Sequence, residues 1–95
     1  MSDPTLLVLA SLAESDKHGY AMMEDIQRFA GVRLGPGTLY GAITRLEQRG
    51  WIRPVDSSDR RRPYRITGAG REHLEERLAS LNQVVKTAMR RLKHA

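Results

Sequence analysis

Hydrophobic and polar positions divide the 95-residue chain into five segments separated by polar or glycine-bearing breaks. Thr5 to Ala13 carries Leu6, Leu7, Val8, Leu9, Ala10 and Leu12, apolar on every side of a helix. That predicts a buried first helix, in part against another subunit, with Asp3 and Pro4 as its N-cap and first residue and Glu14-Ser15-Asp16-Lys17 as its polar end. A second helix follows Gly19, where Tyr20, Met23, Ile26 (or Gln27) and Ala30 are spaced to face inward while Glu24, Asp25 and Arg28 face out; it ends at Gly31. Residues 31–35 connect to a third helix, 36–49, marked by Pro36 at its first position and Gly50 just beyond its last turn. Leu39, Ile43 and Leu46 form its apolar stripe, and Thr38, Gly41, Arg45 and Gln48 line the other side.

Trp51 to Val55 and Arg62 to Thr67 read as two short strands around the turn Asp56-Ser57-Ser58-Asp59-Arg60-Arg61. Ile52, Tyr64 and Ile66 are placed to pack on the helices, and Pro54 removes a donor, which suits an edge. From Gly68 to about Lys93 one long helix remains, capped by Thr67. Its Leu74, Leu78, Leu81, Val85, Ala88 and Leu92 are spaced 4-3-4-3-4, the rhythm of a coiled-coil seam. About 24 residues at 1.5 Å each make a rod of about 36 Å, longer than so small a domain can cover, so a second subunit is expected on it. The fold class is therefore mainly α with a small β-hairpin. A winged helix-turn-helix over residues 1–67 carries a C-terminal dimerisation helix over 68–95.

Charge narrows the partner. Lys and Arg number 16 against 11 Asp and Glu, a net charge of +5 with a sequence pI near 10.2, which suits polyanions. Residues 51–95 hold eleven of those cations and only five of the anions, so the positive field lies mostly after Gly50. The chain has no cysteine, which excludes disulfides, thiolate zinc sites and thiol redox sensing. No signal-peptide pattern or membrane-length apolar run is present, and the expectation is a soluble, cytoplasmic protein without membrane association. His18, His73 and His94 lack ligand spacing, so no metal or other cofactor is expected. No nucleophile motif or phosphate loop surrounds any Ser, His or Asp, so no enzyme is expected either. Glu72, Glu75 and Glu76 read as pairing with Arg71 and Arg77 along an exposed helix face.

The chemistry converges on the third helix as a DNA-recognition element. Small residues at its start, Gly35, Pro36, Gly37 and Thr38, let its free N–H groups and positive dipole end approach a phosphate. Tyr40, Gly41, Thr44 and Arg45 follow on the presented side. Tyr40 either donates its hydroxyl to a phosphate or is a core aromatic beside Leu39. Arg45 reaches a phosphate or a guanine edge. Arg60, Arg61 and Arg62 repel one another at a turn tip, a strain that phosphates or a narrow minor groove relieve. Trp51 is expected to pack at the base of the hairpin.

His18-Gly19-Tyr20-Ala21, Leu34-Gly35-Pro36-Gly37-Thr38-Leu39-Tyr40, Arg45-Leu46-Glu47, Gly50, Arg60-Arg61-Arg62 and Tyr64-Arg65-Ile66-Thr67 with Gly70 together resemble the PadR family of transcriptional regulators over roughly residues 5–75. The resemblance implies a winged helix-turn-helix dimer that represses transcription, of the short subgroup with one C-terminal dimerisation helix. Its double-stranded DNA operator would be an inverted repeat, read by the helix 36–49 and the wing 56–63; an effector, if there is one, is not specified. The chain departs from the family pattern at Gly35, where serine is usual, at Gly41, where proline is usual, and at Thr44 and Pro63, where basic residues are common. Losing the serine hydroxyl weakens the helix cap, and losing a cation at 44 means that a relative's operator cannot be borrowed. Two other uses stay open from sequence: a winged protein-interaction module without specific DNA binding, and membrane-surface binding by the basic segment around Lys86, Arg90, Arg91 and Lys93. The narrow apolar stripe favours a coiled seam over the latter.

Overall fold

A computed structural model describes residues 3–56 and 60–94. The elements run α1 (Pro4–Glu14), α2 (Gly19–Ala30), α3 (Pro36–Gln48), β1 (Ile52–Pro54), β2 (Tyr64–Ile66) and α4 (Gly68–Lys93). Ser57, Ser58 and Asp59 of the expected turn lie outside the described residues.

α1 begins where expected. The Asp3 carboxylate accepts hydrogen bonds from the Thr5 amide at 3.0 Å and the Thr5 hydroxyl at 2.7 Å, and Pro4 occupies the first turn, where no N–H is needed. Leu7, Val8, Leu9 and Leu12 are buried, and α2, α3, α4 and β2 all pack on this helix. Each large aliphatic side chain so buried contributes about 1.5–3 kcal/mol, which makes α1 the centre of the core.

α2 is rotated from its expected setting. Gly19, Met22 and Ile26 face the core, whereas Tyr20 is 61% exposed and Ala30 is exposed too. Asp25 is half-buried rather than outside. Its carboxylate accepts from the buried Ser11 hydroxyl at 2.7 Å and lies 3.8 Å from Lys17 Nζ, which also donates to the Ser11 carbonyl at 2.6 Å. Burying a polar group without a partner is costly, and this small network removes that cost for Ser11. The helix stops at Gly31, whose φ of +66° is readily adopted only by glycine.

α3 ends in a paired motif around Gly50. At a φ of +76°, its amide donates to the Glu47 carbonyl while the Trp51 amide donates to the Leu46 carbonyl, both at 3.0 Å. The expected stripe of Leu39, Ile43 and Leu46 is buried, joined by Ala42.

The hairpin strands are shorter than expected and pair antiparallel, with Ile52 opposite Ile66, Arg53 opposite Arg65 and Pro54 opposite Tyr64. Ile52 and Ile66 are buried and Tyr64 packs beside them. Lys17, in the polar break after α1, exchanges two backbone hydrogen bonds with Tyr64, at 2.9 and 3.2 Å, and so docks the hairpin on the helices.

α4 is capped by the Thr67 hydroxyl, which accepts from the Gly70 amide at 3.0 Å and donates to the Gly50 carbonyl at 2.7 Å. Only Gly70 and Leu74 of this 26-residue helix are buried. Arg71 is exposed as expected, but the pairing differs: Arg71 donates to the Ala13 carbonyl at 3.3 Å, and the half-buried Arg77 meets Asp3 at 2.9 Å. The first turns of α4 lie against α1, so long basic side chains find carbonyls and a carboxylate there.

Candidate nucleic-acid interface

The start of α3 is open. Gly35 occupies the N-cap in extended backbone with no side-chain cap bond, as expected from the missing hydroxyl, and Pro36 follows. Gly35, Pro36, Gly37 and Thr38 are exposed, and nothing stands within 4 Å of where a Cβ would be on Gly35 or Gly37. The first-turn N–H groups therefore point at free surface, where the helix dipole is positive.

Along one edge of the helix, Tyr40 is half-exposed, not a core aromatic. Its phenol lies directly over Gly19, so closely that a Cβ there would collide with the Tyr40 hydroxyl. The glycine before Tyr20 thus makes room for the tyrosine of the next helix. Tyr40, Gly19 and His18 form one wall of a cleft of about 230 Å³, and Arg60, Arg61, Arg62 and Tyr64 of the hairpin form the facing one. His18 caps α2, its Nδ1 accepting from the Ala21 amide at 3.3 Å, which leaves Nε2 as the position that carries the proton in the neutral ring. Phenol hydroxyl, helix start and three guanidinium-bearing residues converge here. That set suits a phosphate.

On the outer face Thr44 is exposed but its hydroxyl donates to the Tyr40 carbonyl at 2.9 Å. Its oxygen stays available as an acceptor, with its methyl group beside it. Gly41 leaves a shallow place in this face, bounded by Arg45, whose Nη1 is 3.7 Å from where a Cβ would stand. Arg45 sits towards the opposite edge, in a second cleft with Arg49, Trp51, His73 and Arg77. Trp51 packs at the hairpin base as expected, its ring stacked on His73 at 3.6 Å between centroids and 11° between planes.

The residues match a known family. Residues 8–76 fit the PadR-like transcriptional regulators. The chain belongs to that family. It is 35% identical over 88 residues to a transcriptional regulator of Mycobacterium tuberculosis, covering 88% of this chain and 80% of the relative. It is 46% identical over 80 residues, 84% of its length, to a 37.1 kDa transposon protein of Streptomyces fradiae, of which it spans only 23%. A crystal structure of a PadR family transcription regulator from Clostridium difficile has the same fold, with a TM-score of 0.84 at 23% identity over 94% of this chain and 97% of that one. A transcriptional regulator from Clostridium thermocellum aligns with a TM-score of 0.80 at 27% identity over 90% and 85%.

Within this PadR-like chain, sequence reasoning grouped Tyr40 with α3 and Arg60–Arg62 with the hairpin but did not bring them to one cleft, nor add His18 and Tyr64. The HGY motif was the available signal. The hairpin is oriented by a pair that sequence also missed: Arg65 Nη2 and Nε grip the Asp16 carboxylate at 2.7 to 3.2 Å. Those hydrogen bonds and the charge of Arg65 hold the Asp16 carboxyl below its ordinary range and push the Arg65 guanidinium up. At Asp3, burial works against ionisation, but hydrogen bonds from Thr5 and Arg77 outweigh it and keep that carboxyl low as well.

The stripe on α4 divides. Leu74 belongs to the core, while Leu78, Leu81, Val85, Ala88 and Leu92 are exposed, together with Val84 and Met89. Among the described residues no helix is long and apolar enough to cross a membrane.

Proposed function

We propose that this chain is a dimeric, cytoplasmic repressor that binds an inverted-repeat operator and works without catalysis. The observation that carries this reading is the cleft beside α3, where Tyr40 and the start of α2 face Arg60, Arg61 and Arg62. α3 enters the major groove through Thr38, Gly41, Thr44 and Arg45, and the wing of residues 56–63 follows the adjacent backbone. Residues 1–67 are the DNA-binding unit in this reading. Residues 68–95 provide the dimer helix, whose exposed Leu78, Leu81, Val85, Ala88 and Leu92 face the same stripe of a second copy.

Selection of genomic fragments by the purified protein tests the assignment. The expected product is a set of duplexes sharing an inverted repeat, with half-sites about one or two helical turns apart, that Thr38→Ala and Tyr40→Ala proteins bind more weakly while folding normally. Equal affinity for selected and random duplexes refutes it.

A further inference from the structure

The edge of α3 away from Tyr40 faces a cleft of about 250 Å³ in which the operator reading uses Arg45 but leaves Arg49, His73 and Arg77 without a ligand. Arg45 enters it from the last turn of α3 and Arg49 from the cap residue that follows, and His73 and Arg77 from the first turns of α4. The two residues in each pair are four apart, so each helix presents them on one face. Asp3 engages Arg77 at 2.9 Å. Among the described residues no carboxylate pairs with Arg45 or Arg49. Like charges gathered in a concavity repel one another more strongly than on an open surface, because part of the screening water is displaced.

We propose that this cleft binds a phosphate-sized oxyanion held between α3 and α4 by Arg45, Arg49, His73 and Arg77. Guanidinium forks match the paired oxygens of such a group. The volume is below the roughly 300–1,000 Å³ of sites for drug-sized ligands. Trp51 already has His73 stacked on it and the Arg49 guanidinium carbon 5.3 Å from its ring centroid. The face stacked on His73 is thus closed to a flat ring, and a ligand between these basic groups is recognised through charge. The oxyanion has two possible sources, a free phosphate-bearing molecule or the backbone of a duplex; only the second rests on the proposed function. Either way an anion spanning these residues ties the recognition helix to α4, whose exposed stripe is the proposed dimer seam.

Trp51 is the chain's single tryptophan and so reports this cleft. Its fluorescence in the full chain is followed during titration with sodium phosphate, with sodium chloride at equal ionic strength, and with a duplex of random sequence. The expected result is a saturable change with phosphate that chloride does not produce. The dissociation constant should rise about tenfold or more in Arg45→Gln and in Arg77→Gln, each losing a charge-assisted bond. Calorimetric titration gives the same constants without relying on the indole, and circular dichroism verifies that the variants fold. A response to duplex but not to phosphate, weakened in Arg77→Gln, whose side chain lies outside the proposed major-groove contacts, assigns the bound oxyanion to the DNA backbone. No saturable response to either, or equal binding by the variants, overturns the proposal. Phosphate binding by a protein that selects no operator would leave the cleft standing and defeat the proposed function, so the two fail separately.

Discussion

Two glycines make close approaches of different kinds, and the difference predicts different mutant behaviour. A Cβ on Gly19 meets the end of the Tyr40 side chain, which can swing away. Gly19→Ala should therefore displace the phenol from its place beside the wing, lowering operator affinity about tenfold while costing stability less than about 1 kcal/mol. Anisotropy titration and urea unfolding measure the two; unchanged affinity would remove Tyr40 from the phosphate site. A Cβ on Gly70 instead meets the Trp51 backbone carbonyl and comes 2.9 Å from Ile66 Cγ1. Neither yields readily, so Gly70→Ala should destabilise by about 1–3 kcal/mol, as overpacking does, read from the urea midpoint. The same geometry explains why Tyr20 lies outside although its spacing predicts it inward. Tyr20, Met22 and Met23 are all apolar enough to compete for the inner face, and the helix is set instead with Gly19 against Tyr40 and Met22 in the core.

At the scale of the element, the hairpin does two separable things. Its tip carries Arg60, Arg61 and Arg62, and each Arg→Ala change that removes a phosphate contact should weaken specific and non-specific binding alike and reduce the salt slope by about one unit. Selective loss at A·T-rich flanks would reveal minor-groove entry instead, and no change in affinity or slope for all three variants would end the wing contact. Its base is oriented by Arg65 on Asp16. Because the folded-state carboxyls of Asp16 and Asp3 are held low, the unfolded chain binds protons first as the solution is acidified. Their stabilisation is present above the ordinary aspartate pKa of about 3.9 and is lost as pH falls through the lower folded values. Urea midpoints measured from neutral to strongly acid pH should fall less steeply for Asp16→Asn than for the unmodified chain. A parallel fall would show that the exposed pair contributes nothing, as surface pairs can.

Across the whole molecule, the longest dimension is 56 Å against 26 and 20 Å for the others, because α4 continues beyond the core. Past Leu74 its apolar side chains are only partly covered by the other described residues; Val85 is 53% exposed and Leu92 79%. A second copy is the natural cover for a stripe of heptad spacing. Leu81→Glu should place a charge in that seam and shift the protein from dimer to monomer. Sedimentation velocity decides this: a well-folded monomer for the unmodified chain at tens of micromolar rules the dimer out, and with it the inverted repeat.

Element type, order and most boundaries were legible in the sequence because their causes are local. Asp3, Thr67 and the glycines at 31 and 50 cap or stop helices through bonds to residues a few positions away, and the stripes of α3 and α4 need only helical periodicity. The recognition surface was legible as two separate motifs for the same reason. Bringing Tyr40 and the wing into one cleft was decided by tertiary structure, through the Lys17–Tyr64 backbone bridge and the Arg65–Asp16 pair, whose members lie 49 residues apart. The grouping of Arg45 and Arg49 with His73 and Arg77 likewise depends on how α3 and α4 each pack on α1. Such pairings depend on the angles at which helices pack and on what a half-buried charge can reach once they have packed, and no periodicity along the chain encodes either.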